Sequence, residues 1–484
     1  MKHLSLVALV LVLHGCVTSS SVSPSADLPP ENGLVIVKMS SNNRPGVPSR
    51  YFSWLLVDQQ DSSALSNYEI VLSRRGTINS GIYFGSLPAG RYVPVRMMSS
   101  GYNSSSWMAF TPDFGTFTVE AGRVTDLGHI LVDLLYTNEV VMKRGKTVDD
   151  WLPEYTATYF PKIPQSVFGQ DYLQWDAGNR DAGSDQTQYA RMRSTSRGFL
   201  NPTVLSDGSV LLGSLLGPIK RWLPGDSLRY LDAGYQGSVD ASAEIRDGVW
   251  LAGSEDGRVK ITSDAGANWQ DFGLRFIGRS VVDLHVQNDQ VYATVIGPEV
   301  LSIHVSSVDT PDWQLLTSQP FEHNSWSGER FLVRSHLQGD HLVTTLPLKS
   351  LVVTNLGTGE SAVRELPGKL QEFTLDADGR AHCVCTKSFG FAGFVSSDWG
   401  QTWTREPAKL QTLAYYIDSK TGYTVKGTSV LKTVDGGASW SAISELPAFG
   451  MTLTYIKKTS TLIATNGFDA LVFSDDGGLT WRTR

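Results

Sequence analysis

Near its C-terminal end the sequence reads "SDDGGLTW", Ser474 to Trp481, and the same pattern occurs three times more. The other copies are "TSDAGANW" (Thr262 to Trp269), "SSDWGQTW" (Ser396 to Trp403) and "TVDGGASW" (Thr433 to Trp440). All four are [Ser/Thr]-x-Asp-x-Gly-x-x-Trp, and four fixed positions kept in four places mark a repeated structural unit. The aspartates stand at 264, 398, 435 and 476, in steps of 134, 37 and 41 residues. Three steps of about 45 account for the long interval. Two degraded copies lie inside it: "SVDTPDW" (Ser307 to Trp313) is one residue short with Pro311 near the glycine position, and "TNLGTGESAV" (Thr354 to Val363) lacks the tryptophan. Upstream, "TVLSDGSVLLGSLLGPIKRWLPG" keeps the strand-turn-strand rhythm without the box, which brings the count to about seven units.

Each intact copy follows a glycine and a short alternating run: "GRVKI" (Gly257 to Ile261), "GFV" (Gly393 to Val395), "GTSVLK" (Gly427 to Lys432) and "GFDALVF" (Gly467 to Phe473). Strand, hairpin and strand fit inside each period. A period near 40 residues with four short strands per unit predicts a β-propeller of about seven blades over residues 166–484. The box resembles the Asp-box, or bacterial neuraminidase repeat, over about residues 200–484. In such a hairpin Asp264, Asp398, Asp435 and Asp476 are expected to accept hydrogen bonds from backbone N–H groups between the third and fourth strands. Gly266, Gly400, Gly437 and Gly478 take a backbone conformation that other residues resist, and Trp269, Trp403, Trp440 and Trp481 return on the fourth strand to pack on its neighbours. Catalysis by these aspartates meets a geometric objection, because equivalent positions of successive blades are spread around the rim.

The box therefore names a fold and not a reaction. Sialidases share it, but resemblance to them asks for Phe/Tyr-Arg-Ile/Leu-Pro early in the propeller, and the nearest stretches, "RFIG" (Arg275 to Gly278) and "RFLV" (Arg330 to Val333), place arginine before the aromatic and lack the proline. There is no Gly-x-Ser-x-Gly, no Gly-x-x-x-x-Gly-Lys-Ser/Thr and no His-Glu-x-x-His, so no catalytic residue, cofactor or metal is assigned. His336 and His341 sit in a hairpin-like context that predicts exposed or turn-bonded rings. "DAD" at Asp376 to Asp378, before Gly379, lacks the other ligands of a calcium loop and is expected to be a β-turn. Cys383 and Cys385 share one face of a strand at a spacing that would strain a disulfide, and are expected to be buried thiols, with His382 on the opposite face. Arg191, Arg193 and Arg197 in "YARMRSTSR" are expected in a solvated loop, with a partner-facing patch as the alternative.

The first residues bear on location. "MKHLSLVALVLVLHGC" has Lys2, an apolar run from Leu4 to Leu13, and Gly15 before Cys16, and the run is too short to span a bilayer. It resembles a lipoprotein signal peptide, residues 1–15, with Leu13, Gly15 and Cys16 in the lipobox positions and His14 departing from the usual small or aliphatic residue. That resemblance implies acylation of Cys16, and Val17 after it implies transfer to the bacterial outer membrane, periplasmic or surface-facing. Residues 16–32 are Ser/Pro-rich and predict a solvated tether. Short alternating runs over 33–136, punctuated by Gly, Pro and Asn, predict a β-sandwich, and the run Phe117 to Gly128 resembles small sandwich modules of envelope lipoproteins. Residues 137–165, of mixed charge with three prolines, are expected to be an interdomain linker.

Composition agrees with an all-β chain. Its 484 residues include 46 glycines and 13 tryptophans, and 41% are hydrophobic against 18% charged, which suits burial in many short strands joined by turns. A formal net charge of −7 without a basic cluster gives no electrostatic footprint for nucleic acid. The expected function is a membrane-anchored scaffold that binds envelope proteins. The resemblance to the photosystem II assembly and stability factor type of Asp-box propeller points the same way, and a glycan-binding or glycoside-cleaving propeller is the alternative class.

Overall fold

The computed structural model of the chain describes residues 18–483 except 21, 24, 42–53, 61–66, 75–79, 101–104, 112, 135–139, 146–151, 170, 177–181, 197, 224–226, 298–299, 321–332, 347–348, 377, 387–389, 407–412, 450 and 467–469. Cys16 and the apolar run before it lie outside the described residues.

Ten strands between Thr18–Ser19 and Val140–Gly145 form one hydrogen-bonded sheet. Its path runs from Val140–Gly145 through Val124–Leu134, Asn32–Ser41, Gly81–Pro88, Asn67–Arg74, Trp54–Gln59 and Gly90–Ser100 to Ser105–Ala109. Side chains alternate across a strand, so Val35, Val37 and Met39 point to one face of Asn32–Ser41 while Leu34 and Ile36 point to the other. The first face shares a single core with Leu55, Tyr83, Tyr92 and Ile130 of the path and with Phe117 of the strand Phe117–Val119, which pairs with Gly90–Ser100. The sheet therefore curls over itself, and the sandwich-like core lies between parts of one continuous sheet.

The second face is covered by residues that the sequence reading assigned to a linker. Helix α1 (Leu152–Tyr159) lays Leu152 and Tyr155 on Leu34, Ile36 and Phe84, and Phe160, Ile163 and Val167 continue the cover. Pro153 misled the reading: proline breaks a helix interior but fits its first turn, and Leu152, Tyr155 and Tyr159 fall on one helical face. The segment up to Asp176 also belongs to this domain. Leu173 donates its N–H to Val124 O at 2.9 Å and Asp126 donates to Leu173 O at 2.8 Å, while Trp175 packs edge-on against Phe114 and Phe117. The expected tether likewise lies against the domain. Thr18–Ser19 pairs in parallel with Tyr68 and Glu69, Ser86 donates its N–H to Ser20 O at 2.9 Å, and Val22 and Leu28 pack on the second face. Exposed serines hid the few apolar side chains that hold it.

Among the described residues seven four-stranded antiparallel sheets follow, over 200–231, 239–271, 280–320, 335–365, 369–405, 415–445 and 452–483; they form a β-propeller, in which they are called blades 1 to 7 in chain order. Every blade uses four consecutive strands, so the ring closes by packing and not by strand exchange. Phe199, Val210, Leu212 and Trp222 of blade 1 share a core with Ile456, Ile463, Leu471 and Phe473 of blade 7. The Trp222 and Phe473 rings lie 5.3 Å apart, and Lys458 Nζ of blade 7 donates to Ser206 O of blade 1 at 2.9 Å.

The two domains meet through buried polar groups. Glu255, in the turn between the second and third strands of blade 2, accepts from the Ser80 N–H at 3.0 Å, the Ser80 hydroxyl, and the Ser238 N–H at 2.9 Å. Ser80 Oγ lies 2.5 Å from Ser40 Oγ, and His129 bridges Ser40 Oγ and the Tyr189 hydroxyl at 2.7 Å each. Burial, with Lys38 and Arg193 nearby, holds the His129 ring neutral, well below its ordinary value. Tyr189 and Arg193 belong to helix α2 (Ala182–Ser194), where the sequence reading expected a loop. Arg193 is half-buried and ties the domains together, donating to Leu216 O at 3.2 Å and to Tyr235 O.

Candidate functional site

The four boxes occupy the same place in blades 2, 5, 6 and 7, the hairpin between third and fourth strands. The degraded copies Ser307 to Trp313 and Thr354 to Val363 span the same turn in blades 3 and 4. In the blade 6 hairpin Thr433 Oγ1 donates to Asp435 Oδ1 at 2.7 Å and accepts the Gly437 N–H at 2.9 Å. Asp435 Oδ1 also accepts the Ser439 N–H at 2.9 Å, and Oδ2 accepts the Ser439 hydroxyl at 2.6 Å. The other three repeat this pattern through Asn268, Thr402 and Thr480. A short polar residue one position before the tryptophan is thus a fifth element of the box, which the sequence reading left open. The signal was present: those positions read Asn, Thr, Ser and Thr.

The glycine does two things at once. Gly266 and Gly437 both have φ of 91°, in the region where a side chain is strained, and a Cβ on Gly266 would lie 2.6 Å from Leu231 of blade 1. The tryptophans pack at blade boundaries, Trp269 on the core of blades 1 and 2, Trp403 on that of blades 4 and 5, and Trp481 on that of blades 6 and 7, while Trp440 meets Tyr416 edge-on at 6.2 Å. Hydrogen bonds from Asn268, Thr402 and Ser439 hold Asp264, Asp398 and Asp435 down to about 2, and Thr480 lowers Asp476 in the same way. These are turn acceptors ionised at neutral pH, one per hairpin.

The remaining sequence candidates fall into separate places. Asp376 Oδ1 accepts the Asp378 and Arg380 N–H groups at 3.0 and 2.9 Å, a turn closed by its own first residue. Cys383 and Cys385 are free and buried, their sulfurs 3.0 Å apart. On the opposite face His382 sits between Asp376 Oδ2 at 3.1 Å and Glu406 Oε1 at 3.0 Å. Burial opposes its protonation, but these two carboxylates prevail and raise it. His341 stacks on Trp399 at 4.5 Å. His336 is not an exposed hairpin residue: it lines the central channel, Nε2 without a partner, and burial pushes it down to about 4.

The channel is the concave feature that the propeller creates, and its walls are the first strands of the blades. One cavity, of about 510 Å³, is lined from blades 1 to 4 and includes Glu244, Asp283, His285, Arg334 and His336. A second, of about 350 Å³, lies among blades 4 to 7 and is walled by Leu370, Phe373, Leu413, Met451 and Leu453, with Arg334 and Glu372 as its charged groups among the described residues. Arg334 belongs to both. Burial pushes Asp240 in the adjacent wall up to about 7, against the Ser238 hydroxyl that it accepts at 2.7 Å. No sequence pattern pointed to these residues, because they come from first strands of different blades.

Strand order sets which end of the channel is open. In each blade the turns between strands 2 and 3 and the connections to the next blade lie at one end, the box hairpins at the other. The N-terminal domain docks on the first end through Leu215 and Leu216, Tyr235, Glu255 and Ile277, over blades 1 and 2 and the connection to blade 3. The smaller cavity opens at this same end beside blades 4 to 7. Phe391, the first residue of the third strand of blade 5, and Phe449, in the connection between blades 6 and 7, are 48% and 75% exposed.

No protein-family profile matches the chain, and no curated protein matches it in sequence. Solved structures do resemble it. YCF48 bound to D1 peptide aligns over 57% of this chain and 93% of its own, with 13% identity and a TM-score of 0.45. YCF48 from Cyanidioschyzon merolae aligns over 51% and 84%, with 13% identity and a TM-score of 0.38. BamB from Moraxella catarrhalis aligns over 59% and 96%, with 15% identity and a TM-score of 0.37. At these values the likeness says nothing of ligand or partner, and the propeller architecture rests on the strand order above.

Proposed function

We propose that the protein is a non-enzymatic scaffold of the bacterial envelope, anchored through lipid on Cys16, which binds a protein partner with the open quadrant of its channel face. The observation that carries this reading is the asymmetric use of that face: among the described residues the chain's own domain occupies blades 1 and 2, and exposed Phe391 and Phe449 lie on the remaining part. Exposed aromatic rings beside a concave centre suit a protein contact. In this reading the box aspartates are turn locks; each sits on its own blade, its carboxylate engaged by its own hairpin. The anchor holds the protein close, because Thr18 is hydrogen-bonded into the sheet two residues after Cys16, about 7 Å of chain.

The test is site-specific photocrosslinking in intact envelopes, with the reactive residue at position 449 or, on the opposite face, at 479. A reproducible protein adduct from 449 that is absent from 479 is expected; equal adducts from both, or none, refute the assignment of the face. Cys16→Ser is expected to abolish incorporation of a fatty-acid analogue, and unchanged labelling removes the anchor. Turnover of sialosides or common glycosides by the purified chain, lost on changing one carboxylate or tyrosine of a single pocket, would replace the scaffold by the hydrolase alternative.

A further inference from the structure

The cavity among blades 4 to 7 combines two features that the scaffold reading leaves unused. Leu370, Phe373, Leu413, Met451 and Leu453 give it an apolar surface, shared with Gln371, Glu372 and the hydroxyl-bearing threonines and Tyr415. Arg334 is the cation among its described lining residues. A guanidinium carries five N–H donors, and Arg334 spends one group on its own neighbourhood, Nη1 donating to Val333 O at 2.7 Å. Its backbone N–H is met by Thr345 Oγ1 at 2.9 Å. Among the described residues no carboxylate lies within 4.0 Å of the guanidinium, and the acids around it bond to other groups, with Asp240 Oδ1 left unmatched. Asp283 accepts the Ser335 N–H at 2.9 Å, Asp240 accepts the Ser238 hydroxyl at 2.7 Å, and Glu372 accepts the Leu413 N–H. Burial works against the arginine's charge, and Asp283 and Asp240, acting from a distance, support it.

We propose that this cavity binds a small organic carboxylate with an apolar body, its carboxylate paired to Arg334 and its body against Leu370, Leu413, Met451 and Leu453. Three physical points select that class. The volume, about 350 Å³, lies at the small end of sites for compact ligands. A planar fork of donors matches a carboxylate with two hydrogen bonds. A phosphate dianion asks for more than one cation, and the described lining holds a single cation, Arg334, together with the carboxylate Glu372, whereas a monoanion with an apolar body needs Arg334 and the leucines alone. An aliphatic acid of about eight carbons meets both requirements. An apolar wall also strengthens the ion pair, since it keeps competing water away.

The cavity lies in the region proposed above for the protein partner but is lined by neither Phe391 nor Phe449, and crosslinking from position 449 tests that contact separately. The experiment is calorimetric titration of the full chain with octanoate, with octanol and octylamine as bodies of the same length that lack the anion. Octanoate is expected to bind with a Kd near or below about 1 mM, and octanol and octylamine at least about tenfold more weakly. Arg334→Gln is expected to weaken octanoate about tenfold or more while leaving octanol unchanged, and Arg334→Lys to recover part of the loss. Leu453→Trp fills the cavity with Arg334 in place and is expected to abolish binding. Thermal melts establish that each variant is folded. Absence of octanoate binding, equal affinity for octanol, or full affinity in a folded Arg334→Gln overturns the proposal.

Discussion

Replacing Glu255 tests whether the two domains form one mechanical unit. The carboxylate is 1% exposed and accepts hydrogen bonds from the Ser80 N–H, the Ser80 hydroxyl and the Ser238 N–H. Glu255→Ala leaves these donors facing a cavity from which water is largely excluded. Each buried donor left unmatched costs about 1–3 kcal/mol, and neighbouring losses are not additive, so a net destabilisation of about 3–6 kcal/mol is expected. Glu255→Gln keeps one acceptor oxygen but turns an amide toward one of the donors, at about 1–3 kcal/mol. The two Ser80 bonds lost are at the junction, and the Ser238 bond lies within blade 2. Urea unfolding followed by tryptophan fluorescence, together with limited proteolysis of the segment joining the sheet to blade 1, should show domain opening at lower denaturant with the propeller's own transition little moved. A Glu255→Ala variant whose midpoint and cleavage pattern equal those of the parent would mean that apolar contacts alone hold the junction, and would refute the reasoning.

Thr433→Val removes a buried hydroxyl that donates to Asp435 and accepts from Gly437, and should cost about 1–3 kcal/mol in chemical denaturation. The box carboxylates are depressed from 3.8 to about 2 in three hairpins, so their stabilisation is present above pH 3.8 and lost as pH falls toward 2; melting followed across that range should show the propeller weakening there, less steeply in Asp435→Asn. His382 is raised above 6.5 by Asp376 and Glu406. Its contribution is therefore complete below pH 6.5 and lost as pH rises through the raised value, and the melting temperature of the parent should fall over that window relative to His382→Gln. Trp222, fully buried where blade 1 meets blade 7, should cost about 3–5 kcal/mol as Trp222→Ala and loosen ring closure, measured by hydrogen exchange in the strands Val210–Gly213 and Leu471–Ser474.

The hairpins were legible because their chemistry is local. Thr433, Asp435, Gly437 and Ser439 satisfy one another within seven residues, so any blade that needs this turn repeats these residue types, and the repeat spacing then counts the blades. The helix at Leu152–Tyr159 and the bound segment at Thr18–Ser19 were missed for the opposite reason. Their placement depends on a few apolar side chains, Leu152, Tyr155, Val22 and Leu28, meeting a sheet face that is distant in sequence, and the prolines and serines around them carry the statistics of a linker. Arg193 was assigned to a loop because nothing near it in sequence resembles Leu216 O or Tyr235 O.

The channel lies further still from what a linear pattern can express. Arg334, Leu370, Leu413 and Leu453 open the first strands of four successive blades, or lie just beside them, and each of those strands reads like any other short β-strand. Ring closure brings them around one axis, and only then does Arg334, which has no carboxylate partner among the described residues, come together with these leucines. The sequence by itself determined the repeated turn and hence the propeller, because hydrogen bonds within a hairpin are fixed by neighbours in the chain. The docked domain, the open quadrant and the charged cavity were decided by the tertiary structure alone, because burial and ion pairing depend on distance in space.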